Sequence, residues 1–174
     1  MTTQNAIDPA AALAEIEQTF GFIPNLFRAY ADYPPLLGAN WAKVKAILLQ
    51  GGLRREVKET IALLVSKDNA CAYCIDAHAA ALHMLGFSPQ DVAAMEHTLG
   101  DTHFSSREQA LIDFARRANR EANRMAADLK RLSAQDIPMA EVIEALGVME
   151  LFAAFNRFAD ALGVVPDSFP SPQQ

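Results

Sequence analysis

The two cysteines of the chain, Cys71 and Cys74, open the segment Cys71-Ala72-Tyr73-Cys74-Ile75-Asp76-Ala77-His78, and Glu59 stands twelve residues before the first of them. Read as a helix, this segment places Cys71, Cys74 and His78 on one face, because residues three, four and seven apart stack along a helix. At a helix N-terminus, unpaired backbone N–H groups and the macrodipole favour thiolate over thiol, which would activate Cys71 by position. Cys74 lies one turn in, with His78 four residues later as a proton acceptor or charge partner. Oxidation of either sulfur to a sulfenic acid lets the other condense with it to a disulfide, which a reductant reopens. Those steps make a peroxidase cycle. Helix position favours Cys71 as the attacking thiol, and proximity to a base favours Cys74.

Other uses of such a pair fit less well. A structural zinc is closed by four ligands, and no second cysteine pair exists to complete a set with His78, so no metal is expected. Covalent haem attachment needs His directly after the second Cys, where Ile75 stands, and a thioredoxin-like site needs strands around the motif. No cofactor is expected. A disulfide across so short a loop restricts the unfolded chain little. Isolated buried cysteines often act as small apolar core residues, but two at this spacing with His78 point to redox chemistry. His83, His97 and His103 lack such company and read as surface or capping residues, while Tyr73 either packs or lines the site.

The elements that must position these residues are helical. The chain has 174 residues, 51% hydrophobic and 21% charged, with 8 Gly and 9 Pro, which suits one domain over 1–174 with a sizeable core. A net charge of -6 without any Lys/Arg-rich block argues against nucleic acid. No basic n-region precedes an apolar stretch and no apolar run reaches membrane-span length, so a cytoplasmic protein without a membrane partner is expected.

Period-two alternation is not sustained anywhere, and the expected fold class is all-α. Asp8 and Pro9 start a first helix that Gly21 stops, and Leu26 to Asp32 forms a second that gives way at Pro34-Pro35. A third runs from about Leu36 to Gln50. The fourth, Arg54 to about Ser66, is apolar around most of its circumference, and Glu59 shares a side with Ala62, Leu63 and Ser66, so its carboxylate is expected to face protein. Asp68 or Asn69 is expected to cap the cysteine helix, from Ala70 to about Leu85. Ser88-Pro89 starts a short helix ending near Gly100, and Ser105 or Ser106 starts a long one through Met125 with its arginines toward solvent. A last helix spans Pro138 to Leu162. Residues 53–86 thus carry the motif, and 164–174 form a Pro-punctuated tail, extended and partly mobile.

As a set, Glu59, Cys71-x-x-Cys74 and His78 resemble the signature of the alkylhydroperoxidase D (AhpD-like) branch of the carboxymuconolactone decarboxylase-like superfamily. The surrounding SKDNACAYCIDAH, the upstream FGFIPNLFRAY and the downstream FNRFADALGV resemble its uncharacterised peroxidase-related members. The resemblance implies an AhpD-like bundle of about seven to nine helices, with the CxxC at the N-terminus of a central helix. It implies a homo-oligomer (dimer, trimer or hexamer) and thiol-dependent peroxidase activity. In that scheme Glu59, a water and His78 relay a proton from Cys74, Cys74 attacks the peroxide, and Cys71 resolves the sulfenate. Tyr73 stands where the best-known members have His. The expected partners are a small peroxide and a thiol or dithiol reductant. Two other readings use the same residues differently: a redox-responsive interaction protein without significant turnover, and a cofactor-free decarboxylase-like activity that would survive loss of both thiols.

Overall fold

Apolar positions at helical spacing, punctuated by Gly and Pro, can be buried only by packing helix on helix. The computed structural model describes residues 8–99 and 103–168, and those residues form helices and connecting turns without a strand. In chain order they are α1 (Pro9–Phe20), α2 (Asn25–Tyr30), α3 (Pro34–Val44), α4 (Arg55–Asp68), α5 (Ala72–Met84), α6 (Pro89–Ala94), α7 (Ser106–Glu121), α8 (Ala126–Ala134) and α9 (Met139–Leu162). Their starts follow local chemistry. Asp8 accepts the Ala10 N–H at 3.0 Å with Pro9 in the first turn, and Ser88 and Ser105 each form a reciprocal capping box with Asp91 and Glu108.

The centre of the bundle is α4, which packs against α5, α7 and α9. Its residues Val57 to Ser66 are buried without interruption, including Lys58, Glu59, Thr60 and Ser66. Buried polar groups must find partners. Lys58 Nζ pairs with Glu144 Oε1 of α9 at 2.6 Å, and the Glu144 carboxylate accepts the backbone N–H groups of Gly52 and Leu53 at 2.9 and 3.2 Å. Gly51 in this turn has φ +100°, and a Cβ there would run into the Glu144 carboxylate, so the turn requires glycine. α9 is thereby pinned to the turn that feeds α4.

Several boundaries differ from the sequence expectation for definable reasons. Pro34 and Pro35 start α3 in its first turn, where a missing N–H costs nothing. The expected third helix ends in a wide π turn, Lys45–Leu49, which carries Leu48 into the core. Asn69 and Asp68 do not cap α5; its N-cap is Cys71, while Asn69 bonds Asn156 and Asn119, and Asp68 pairs with Arg116 and Arg120 of α7. Arg116 is accordingly not solvent-facing, its side chain being 16% exposed. The long helix expected through Met125 stops at Glu121, and a 3₁₀ turn, Ala122–Arg124, leads into α8, which the sequence reading missed. The short helix ends at Ala94 rather than near Gly100, which lies outside the described residues, as does the tail from 169 to 174. Among the described residues no helix is long and apolar enough to cross a membrane.

Candidate functional site

The break between α4 and α5 folds the cysteine helix back along the central helix, so that Glu59 in mid-α4 meets His78 in mid-α5. His78 Nδ1 lies 2.7 Å from Glu59 Oε2, and Arg55, one turn before Glu59 on α4, donates from Nε to Glu59 Oε1 at 2.6 Å. Glu59 is 1% exposed. Burial by itself would raise its pKa, but hydrogen bonds and charge from His78 and Arg55 outweigh that and hold it below its ordinary value. An ionised carboxylate accepts only, so Nδ1 of His78 donates to it, and Nε2 is the ring nitrogen left to exchange a proton with another group. The Phe152 ring sits edge-on to the imidazole, with centroids 4.2 Å apart at 85°, and fixes its plane.

Cys71, the N-cap of α5, and Cys74, in its first turn, are both free and both buried. Helix position does not lower their pKa values as the sequence suggested. Burial pushes both thiols up, and for Cys74 the neighbouring Cys71 adds to the effect. Burial wins because removing a thiolate from water costs more than the end of one helix returns. Neither sulfur is a standing thiolate at neutral pH, so any attack needs a base at the moment of reaction.

A cavity of about 140 Å³ opens beside this group. Cys74 and His78 line it together with Arg55, Glu59, Tyr73 and Asp167, while its remaining wall is apolar, chiefly Phe20, Phe27, Leu48, Met84, Phe152 and Phe155. Cys71 is not among its lining residues. The structure therefore brings together the sequence candidates Cys74, His78, Glu59 and Tyr73 around one space, with Cys71 behind. Arg55 was missed, although its place four residues before Glu59 on a helix was a readable signal for pairing. His83 and His103 lie elsewhere: His83 Nδ1 is 3.0 Å from the Phe87 carbonyl, and His103 is 3.6 Å from Asp91.

Asp167, which also lines the cavity, ties the segment after α9 to α2 and to Tyr73. Tyr73 donates its hydroxyl to Asp167 Oδ2 at 2.7 Å and accepts the Leu26 N–H at 3.2 Å, while Asp167 Oδ1 accepts the Asn25 N–H at 2.8 Å. These donors are first-turn N–H groups of α2 that the helix itself leaves unpaired. Removing the carboxylate in Asp167→Ala is expected to lower stability by about 1–2 kcal/mol and to loosen the cavity wall it helps to form. Urea unfolding reads the first effect, and faster labelling of Cys74 by a bulky maleimide reads the second.

The stretch that holds Glu59, both cysteines and His78 lies within residues 35–117, which match the model of the carboxymuconolactone decarboxylase family. That match covers just under half of the chain. An alkyl hydroperoxide reductase of Mycobacterium tuberculosis is 32% identical over 89 residues, which make up 51% of this chain and 26% of that protein. The match thus spans about a quarter of that relative's length. Among solved structures, an uncharacterized peroxidase-related protein from Silicibacter sp. TM1040 is similar at TM-score 0.80 and 26% identity, over 96% of this chain and 91% of that one. The alkylhydroperoxidase AhpD core of an uncharacterized peroxidase-related protein from Ralstonia eutropha JMP134 is similar at TM-score 0.79 and 25% identity, over 93% and 90% of the two chains. The fold is AhpD-like.

Proposed function

We propose that this protein belongs to the carboxymuconolactone decarboxylase family and is a thiol-dependent peroxidase that reduces small organic hydroperoxides or hydrogen peroxide through a Cys71–Cys74 dithiol/disulfide cycle. The observation that carries the reading is the shared cavity: Cys74, alone of the two sulfurs, faces the space lined by His78 and its buried Glu59–Arg55 support. The apolar wall suits the carbon end of an organic hydroperoxide, and similarity to the peroxidase-related proteins adds support.

In the first step His78 Nε2 takes the Cys74 proton, through a water or through the peroxide itself, and Glu59 stabilises the imidazolium that results. The Cys74 sulfur attacks the terminal peroxide oxygen. The S–O bond forms as the O–O bond breaks, and the departing alkoxide takes the proton from His78 to leave as an alcohol. Cys74 is now a sulfenic acid. Cys71 then attacks that sulfur: the S–S bond forms, the S–O bond breaks, and the Cys71 proton leaves with the hydroxide as water. A thiol or dithiol donor reduces the disulfide and is itself oxidised, closing the cycle.

A cytoplasmic location and assembly into a homo-oligomer belong to the same reading. Exposed Met139 and Ile143, one turn apart on α9, supply apolar surface for such assembly. The test is steady-state consumption of cumene hydroperoxide and hydrogen peroxide with dithiothreitol as donor. Saturable turnover well above the dithiothreitol background supports the reading, and consumption at background overturns it. Retention of a redox disulfide without turnover would favour an interaction protein instead.

A further inference from the structure

We infer that Arg55 is a specificity-determining residue of the cavity, and that the substrate it selects is a small hydroperoxide carrying a carboxylate, with the acid group on the Arg55 guanidinium and the carbon part inside. The inference rests on the peroxidase reading for the hydroperoxide, but its test does not.

Uncommitted polar groups are scarce in this cavity. Its lining is apolar apart from Arg55, Glu59, Tyr73, Cys74, His78 and Asp167. Both oxygens of Glu59 are engaged, by His78 Nδ1 at 2.7 Å and by Arg55 Nε at 2.6 Å. Both oxygens of Asp167 are engaged as well, by the Tyr73 hydroxyl at 2.7 Å and the Asn25 N–H at 2.8 Å. Tyr73 thereby uses its one proton, and its oxygen accepts the Leu26 N–H at 3.2 Å. Arg55 is different. A guanidinium carries five N–H donors in a planar fork, and the hydrogen bond that Arg55 makes to the described residues uses Nε alone. The Nη1 and Nη2 groups remain for a ligand.

An Arg side chain meets a carboxylate best through two parallel N–H bonds, which a pair of Nη groups can supply. Arg55 lines the cavity and is also 32% exposed, so its charged head stands between the apolar space and water. A ligand with one anionic end and one carbon end has the matching polarity. The cavity volume of about 140 Å³ limits the carbon end to a single ring or a short chain of similar bulk, since a cavity of about 150 Å³ holds one benzene. Cys74 and His78 line the same space, so a ligand anchored at Arg55 lies beside the reacting sulfur. Asp167 carries a like charge and opposes the anion, which keeps the selectivity moderate.

The test compares phenylacetate with phenylethanol, which share the ring and differ in the acid group, by isothermal titration calorimetry at neutral pH. Wild-type protein is expected to bind phenylacetate about tenfold more tightly, the usual effect of one charge-assisted hydrogen bond. Bound phenylacetate should also slow alkylation of Cys74 by iodoacetamide, which peptide mapping reads and which places the ligand in the cavity. Arg55→Gln keeps a donor but removes the charge, and the preference is expected to fall to about one or below. A role confined to supporting Glu59 would change the affinity for both ligands alike and leave their ratio in place. Should Arg55→Gln fail to fold, Arg55→Lys decides: it keeps the charge without the fork, and about a third of the preference should remain. Equal binding of the two ligands by wild type, or a preference that either variant keeps in full, overturns the inference. Neither ligand carries a peroxide, so this outcome is separate from a failure of cumene hydroperoxide turnover, which would overturn the peroxidase reading.

Discussion

Cys74→Ser is expected to lower hydroperoxide turnover by about 10³-fold or more, because serine keeps the volume of the thiol but its hydroxyl is far too weak an acid to supply a nucleophile here. Burial already pushes the Cys74 thiol above its ordinary range, so the active site depends on a base even for sulfur, and it has no reserve for an alkoxide. Cys71→Ser should behave differently. That variant consumes one equivalent of peroxide and stops at the sulfenic acid, which a sulfenate-specific trap captures at Cys74, and further turnover then requires an external thiol. A stopped-flow burst followed by trapping and peptide mapping separates the two variants. Equal loss in both, with no trapped sulfenate in Cys71→Ser, would contradict the assignment of roles.

The second large effect is expected in Glu59→Gln. The carboxylate serves two neighbours at once, accepting from His78 at 2.7 Å and from Arg55 at 2.6 Å. Glutamine keeps one acceptor but offers an N–H where the other oxygen stood, which leaves either His78 or Arg55 facing a donor. Hydroperoxide kcat/KM should fall by about 10²-fold, the usual worth of general-base assistance, and stability by about 1–3 kcal/mol. The acid response follows from the same carboxylate. The folded pKa of Glu59 is held below its ordinary 4.5, so its contribution to stability is fully present above about that pH and is lost as pH falls through the folded value. Asp68, lowered by Arg116 and Arg120 against the effect of burial, adds a second contribution of the same sign. Wild-type Tm should therefore hold steady down to about pH 5 and then decline, whereas Glu59→Gln starts lower and loses less over the acid range. Differential scanning calorimetry across pH checks both.

Much of this was legible in the sequence, and the failures share physical causes. The cysteine helix, the buried face of α4 and the last helix follow from periodicity, because burial on several sides leaves few polar residues to confuse the pattern. Glu59 could be placed toward protein for the same reason. Pro34-Pro35 misled because proline ends one helix and begins another with equal ease. The 3₁₀ turn at Ala122–Arg124 contains neither glycine nor proline, so α7 and α8 looked continuous. Asn69 is a good capping residue by type, but its amide is used by Asn156, 87 residues on, a tertiary demand invisible to local rules. Asn156 could not have been found at all from the motif. It belongs to α9, outside residues 35–117, and reaches Ser66 and Asn69 only because α9 packs along α4. The thiol pKa direction failed likewise, since helix position is local whereas burial is a property of the assembled bundle.

The most direct test of the account is the mass of the intact protein under denaturing, non-reducing conditions after one equivalent of cumene hydroperoxide. A peroxidase cycle through this pair predicts the loss of two hydrogen atoms in wild type, with peptide mapping placing the disulfide between Cys71 and Cys74. Cys71→Ser should instead gain one oxygen at Cys74. Wild-type protein that keeps its mass and both free thiols would contradict the central claim.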